Sequence, residues 1–237
     1  MKRYRYAVLT GDINASSRMG KREAKNLEKI LRASFQELVA NRHDIEADHF
    51  TCFRGDSWQF VVGDATAAAS AALYFRASLI IQSYDAFGIR LNSSVSIGFG
   101  SIDFFPDSES SAGGGKAYEL SGKRLDKIRK RLPGMSVSGL GPPDPGVSAM
   151  LGVIDALVRH WTPSRARAVC LSLQSLTQIE IASKWEPEPI SQQAVHKHLQ
   201  SAGWPAIEPA LNWIATTIKG CIAKNNLGNE IRWKSSS

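Results

Sequence analysis

The chain has 237 residues, 43% of them hydrophobic and 22% charged, a balance that excludes disordered, collagen-like and mucin-like chains. No apolar run of about 18 residues is present to cross a bilayer, and Met1-Lys2-Arg3-Tyr4-Arg5-Tyr6 enters a strand-like run without a small-residue cleavage site. A cytoplasmic protein without membrane contact is expected. The net charge of +7 suggests an anionic partner, and the excess is concentrated between Lys116 and Arg131, where seven basic residues face only Glu119 and Asp126.

In chain order, Arg5–Thr10 is β-branched and aromatic and reads as a strand, followed by Gly11-Asp12 and a polar loop. From Lys21 to Asn41 the residues Ala24, Leu27, Leu31, Phe35 and Leu38 recur at helical spacing. Glu46–Phe53 and Ser57–Val62, joined by the turn Arg54-Gly55-Asp56, predict a hairpin. An Ala-rich buried helix follows, capped by Asp64 or Thr66 and running to about Tyr84. Ile89–Gly98 is a fourth strand, Ser101–Gly115 a polar loop, and Lys116–Arg131 a helix. This is the β-α-β-β-α-β order of a ferredoxin-like sheet. In its strand order of 4-1-3-2, the end of strand 1 and the turn between strands 2 and 3 fall at the same end of neighbouring strands. Asp12 and Asp56 are therefore expected to meet. Two carboxylates beside Gly11 and Gly55, where the backbone can be approached closely, suit Mg²⁺ or Mn²⁺, although Gly-Asp is also common in plain turns.

The blocks Leu9-Thr10-Gly11-Asp12-Ile13-Asn14-Ala15-Ser16, Arg54-Gly55-Asp56-Ser57-Trp58-Gln59-Phe60, Ile89–Gly100 and Gly115-Lys116-Ala117-Tyr118 resemble the SatD family of bacterial proteins over roughly residues 4–130. That family is in turn similar to the palm-type domain of class III nucleotidyl cyclases and GGDEF diguanylate cyclases. The resemblance implies that Asp12 and Asp56 hold the metal, with the Ile13 carbonyl as a further ligand. Where a class III cyclase has a base-reading Lys, this chain has Cys52. The Asn and Arg of the cyclase helix correspond to Glu119 and Lys123, and relative to GGDEF, Arg54 and Ser57 replace the first Gly and the last acid. Lys123 or Arg124 is left to meet a phosphate. Gly113-Gly114-Gly115-Lys116, ahead of a helix, is either a phosphate cradle or a flexible loop.

Residues 133–146, rich in Gly and Pro, read as a linker between a domain over 1–132 and an all-α domain over 147–237. Helices are expected over Val147–His160, Pro163–Leu173 and Pro205–Gly220. Between the last two, Leu176–Trp185 and Ile190–Leu199 resemble the helix-turn-helix of bacterial regulators. Gln192 and Gln193 would then read adenine edges, while His196 and Lys197 touch the backbone of double-stranded DNA. Glu186-Pro187-Glu188-Pro189 lengthens the turn and adds negative charge. Cys52, Cys170 and Cys221 are odd in number and far apart, as reduced thiols are. The scattered histidines do not form a zinc pattern, and no nucleophile motif stands out.

Three readings follow. The first is a nucleotide- and metal-binding palm-like domain coupled to a DNA-binding helix-turn-helix in a homodimeric regulator. The second is a nucleotidyl cyclase or nucleotidyltransferase acting on nucleoside triphosphates with Mg²⁺. The third is a scaffold with neither activity.

Overall fold

Strand β1 (Ala7–Ile13) lies at the centre of a five-stranded sheet ordered β2-β3-β1-β4-β5, in which β2 is Ala47–Phe53, β3 Ser57–Val62, β4 Ser93–Phe99 and β5 Met135–Ser138. The computed structural model describes residues 6–14, 16, 19–43, 45, 47–53, 55–106, 113–131 and 134–234. Arg5, Ala15, Glu46, Arg54 and Pro133, singled out in the sequence, lie outside these residues. β1 runs antiparallel to both β3 and β4, and the order of the first four strands is the one the β-α-β-β-α-β pattern predicts. β1 does not stop at Thr10. Pairing with Ser57 and Ser94 on its two sides carries the strand through Gly11, Asp12 and Ile13, so Asp12 stands on the sheet instead of in the loop after it.

The two faces of the sheet differ because strand side chains alternate. Ala7, Leu9, Ile13, Trp58, Phe60, Val95, Ile97 and Phe99 form an apolar face within the main core. Helices α1 (Lys21–Asn41) and α2 (Ala68–Phe87) contribute to that core, with Trp58 tilted against Phe75 at 4.2 Å between ring centroids. Each such large side chain contributes about 1.5–3 kcal/mol when buried. The opposite face presents Thr10, Asp12, Ser57, Gln59, Ser94, Ser96 and Ser136, and α3 (Lys116–Arg131) packs over it. Gly98 permits that approach: a Cβ there would lie 2.2 Å from the Ala117 carbonyl oxygen and 2.7 Å from the Ser121 nitrogen.

Residues 133–146 are not a free linker. Met135–Ser138 adds β5 parallel to β4, and Asp144 begins α4 (Asp144–Val158) after accepting hydrogen bonds from the Gly139 and Leu140 N–H groups. The segment is short, but Met135 and Val137 extend the apolar face and so hold it in the sheet. The remaining helices are α5 (Pro163–Leu173), α6 (Gln178–Ser183), α7 (Gln192–Ala202) and α8 (Trp204–Lys234). Their buried side chains, including Trp161, Val169, Ile181, Leu199 and Ile214, belong to the same core cluster as the sheet. α2 lies between the two layers, which explains why it is apolar nearly all round. One charge crosses this interior: Arg76 of α2, fully buried, donates to Asp155 of α4 at 2.8 Å and to the Asn92 side-chain oxygen at 2.6 and 2.9 Å.

Candidate functional site

The end of β1 and the β2–β3 hairpin come together through the sheet itself. Asp12 pairs with Ser57, and the Ile13 N–H donates to the Asp56 carbonyl at 3.0 Å. Asp12 thus stands on β1 and Asp56 in the turn that leads into β3, with the Ser57 hydroxyl beside both. Ser57 Oγ donates to Asp12 Oδ1 at 2.6 Å and lies 3.5 Å from Asp56 Oδ1. The other Asp56 oxygen accepts from Ser16 Oγ at 2.6 Å. Asp12 is nearly buried and Asp56 half-buried. The two glycines serve different ends. A Cβ at Gly11 would lie 2.2 Å from Trp58 Cζ2 and 2.8 Å from the Ser94 carbonyl oxygen, so the indole requires glycine there. Gly55 is exposed, with φ +83°, and lets the hairpin turn in the left-handed region. The Ile13 side chain is buried on the apolar face.

Among the described residues the cation that reaches this pair is Arg129. Its Nη1 lies 3.3 Å from Asp12 Oδ2, and its side chain is 50% exposed while that of Asp12 is 11% exposed. The other basic candidates on α3 are engaged elsewhere. Lys116, at the far end of the helix, pairs with Glu119 at 3.0 Å, and the exposed Lys123 pairs with the same carboxylate. Between them these lysines hold the Glu119 carboxyl below its ordinary range. Arg124 turns to the sheet edge and donates to Ser136 Oγ at 2.6 Å. At 1.5 Å of rise per residue, Lys123 lies about 9 Å and Lys116 about 20 Å along the axis from Arg129. Sequence reasoning missed Arg129. The signal it lacked was helix direction: α3 starts beside Gly100 and Ser101, at the Ala7 end of the sheet, and ends at Asp12.

Next to the carboxylates, the floor under α3 is made of hydroxyl and amide groups. Thr51, Gln59, Thr10, Ser96 and Ser136 are consecutive cross-strand partners spanning all five strands, and all are buried. Gln59 donates to Thr10 at 2.7 Å, and Thr10 shares a 2.8 Å hydrogen bond with Ser121 of α3. The hydroxyls of Thr51, Ser96 and Tyr118 are buried without a partner. Burial pushes the Tyr118 phenol up to about 12, so the floor is uncharged at neutral pH. Cys52, which the sequence resemblance sets against a base-reading Lys, faces the other way. It pairs with Trp58 and packs against the α1–α2 core, where burial, then Glu28, raises its thiol to about 11.

The other predicted group lies on α7, apart from the carboxylates in the fold. Gln192, Gln193, His196 and Lys197 are all exposed, while Val195 and Leu199 are buried. Ser191 caps the helix, accepting from the Ala194 N–H at 3.2 Å. α6 has a capping box between Thr177 and Glu180, and the Ile190 N–H donates to the Ala182 carbonyl at 3.1 Å. Lys184–Ser191 separates the two helices, a longer connection than the compact turn of the common motif.

No protein-family model matches the chain, and no curated protein matches it. Solved structures similar to it include the guanylyl cyclase Cya2, at TM-score 0.38 and 15% identity, over 56% of this chain and 74% of that one. A bacterial light-regulated adenylyl cyclase is similar at TM-score 0.36 and 14% identity, over 58% of this chain and 77% of that one. The guanylate cyclase domain of RhGC from Catenaria anguillulae, in complex with GTP, is similar at TM-score 0.37 and 16% identity, over 58% of this chain and 80% of that one. Among the described residues no helix is long and apolar enough to cross a membrane.

Proposed function

We propose that this protein binds a nucleoside polyphosphate through a divalent cation, Mg²⁺ or Mn²⁺, at Asp12 and Asp56, and acts on it in the manner of a nucleotidyl cyclase or nucleotidyltransferase. The observation that carries the reading is that Ser57 Oγ donates to Asp12 at the end of β1 while the Asp56 carboxylate, in the β2–β3 turn, lies 3.5 Å from the same hydroxyl. Hard oxygens so gathered suit a hard cation that keeps water and phosphate oxygens in its remaining positions. Among the described residues no group of three or more His, Cys, Asp and Glu is placed to hold a metal. A two-carboxylate site of this kind therefore depends on oxygens brought by the substrate. When bound, the cation would neutralise polyphosphate charge and favour an attacking oxygen. Ser57 and Ser16 orient the carboxylates from the protein side, and the β1–β3 pairing together with the Ile13 N–H bond to the Asp56 carbonyl sets the spacing of the backbone that bears them.

The test is direct. Mn²⁺ titration, and pyrophosphate release from each nucleoside triphosphate, are measured on the wild-type chain and on Asp12→Asn and Asp56→Asn. Binding and turnover that disappear in both variants are expected. Mn²⁺ binding indifferent to both substitutions refutes the reading. The exposed polar face of α7 over buried Val195 and Leu199 favours a second reading, contact with double-stranded DNA. There, affinity for random duplex should fall steeply with salt and drop in Lys197→Ala, and a flat salt response removes it.

A further inference from the structure

We infer that Arg129 is a resident counter-ion of the carboxylate pair, which a divalent cation displaces and which then turns to the anion that accompanies the cation. The inference rests on the reading of Asp12 and Asp56 as ligands.

Five observations meet on it. Asp12 is nearly buried, so its charge needs a partner close by. Among the described residues one oxygen has Ser57 at 2.6 Å, and the other has Arg129 alone at 3.3 Å. That contact is longer than the 2.7–2.9 Å usual for a charge-assisted N–H···O bond, and only one guanidinium nitrogen takes part. Among the described residues Arg129 has no other hydrogen-bonded partner, whereas Arg124 is fastened to Ser136 at 2.6 Å. Finally, half of the Arg129 side chain is exposed, so it can swing away without disturbing the core.

A divalent cation at Asp12 draws on the same negative charge as the guanidinium and repels it at close range, so the two compete for that carboxylate. Wild-type affinity for a bare cation is therefore the intrinsic affinity of the pair reduced by the competition of Arg129. Once displaced, the five-donor fork stands beside a cation that brings polyphosphate oxygens, a geometry the guanidinium matches well. Arg129 thus works against the metal alone and in favour of metal with polyphosphate. A residue with a merely structural role would shift both affinities in the same direction.

The experiment uses the full chain and two probes, Mn²⁺ alone and Mn²⁺ with inorganic tripolyphosphate, read by calorimetry. Arg129→Gln should bind Mn²⁺ alone about two- to fivefold more tightly, the range of an ion pair of this exposure. It should bind tripolyphosphate in the presence of Mn²⁺ more weakly than wild type, while Arg129→Lys lies between the two. Mn²⁺ affinity unchanged or reduced in Arg129→Gln overturns the inference, as does a parallel rise or fall of both affinities. Asp12→Asn separates the two claims: if it retains full Mn²⁺ affinity, the metal reading itself fails, whereas loss of Mn²⁺ binding there with no effect of Arg129→Gln defeats only the role of Arg129. Thermal melts confirm that each variant is folded.

Discussion

Replacing Asp155 with Leu should be among the most damaging single changes in the protein, and the neighbouring bonds give its size. Arg76 is fully buried, and among the described residues Asp155 is its only carboxylate; without it the guanidinium keeps the Asn92 oxygen. Leaving a buried charge uncompensated costs about 3–5 kcal/mol, against about 5–15 kcal/mol for a whole domain. With a urea m-value of about 3 kcal/mol/M, the midpoint should fall by about 1–1.7 M. The reciprocal change, Arg76→Met, should cost less, because Asp155 keeps Arg159 at 2.6 and 2.7 Å, and that arginine is partly exposed. The double variant Arg76→Met/Asp155→Leu should be more stable than Asp155→Leu alone. Urea unfolding followed by circular dichroism measures all three. A loss under about 1 kcal/mol in Asp155→Leu, or a double variant as unstable as the sum of the singles, refutes the reasoning. The effect should also reach the carboxylates. Asn92 accepts the Asn14 N–H at 2.9 Å through its backbone, and Asn14 accepts from Ser94 at 2.7 Å just beyond Asp12.

Gly98→Ala would press a Cβ onto backbone atoms of α3, at 2.2 Å from the Ala117 oxygen, so the helix must shift. A destabilisation of about 1–3 kcal/mol is expected in the same unfolding assay, and a neutral result would contradict the packing. His198 stacks on Trp185 with 5.3 Å between ring centroids, and burial, then Arg165 and Lys197, lowers its pKa from 6.5. The folded state thus favours the neutral ring: its contribution is complete above pH 6.5 and is lost as the pH falls through the lower folded value. Melting temperature should drop on acidification less in His198→Leu than in wild type, and an identical slope would count against the assignment. With its thiol near 11, Cys52 is about 0.1% thiolate at pH 8. Mass spectrometry after mild iodoacetamide treatment should therefore find Cys221 alkylated well ahead of Cys52 and Cys170, and equal rates would be inconsistent with that burial.

What could be read in the residues is what periodicity and strand order control. α1, β3, α3 and α5 begin and end where their apolar spacing and flanking signals place them. The meeting of Asp12 with Asp56 follows from strand order alone, since hairpin and strand end fall on neighbouring strands whatever the side chains do. The misses have tertiary causes. Gly11 and Asp12 are turn formers in isolation, yet pairing on both edges keeps them in β1. Met135–Ser138 is too short and too close to Gly and Pro to signal a strand, and only β4 beside it makes it one. Arg129 stayed hidden because its partner is 117 positions away and is reached only once the direction of α3 over the sheet is known.

The unlike faces of the sheet hold their helices by different forces. α1 and α2 are fixed by aromatic and aliphatic area that would have to be re-wetted if they moved, whereas the only apolar cluster of described residues holding α3 is the small one around Val8, Val61, Ala117 and Tyr118. Over the hydroxyl row, water can replace Ser121 at Thr10 almost bond for bond. Because that cover carries Arg129 on its last turn, any displacement of α3 from the sheet would uncover the acids at 12 and 56 and withdraw their counter-charge in a single movement.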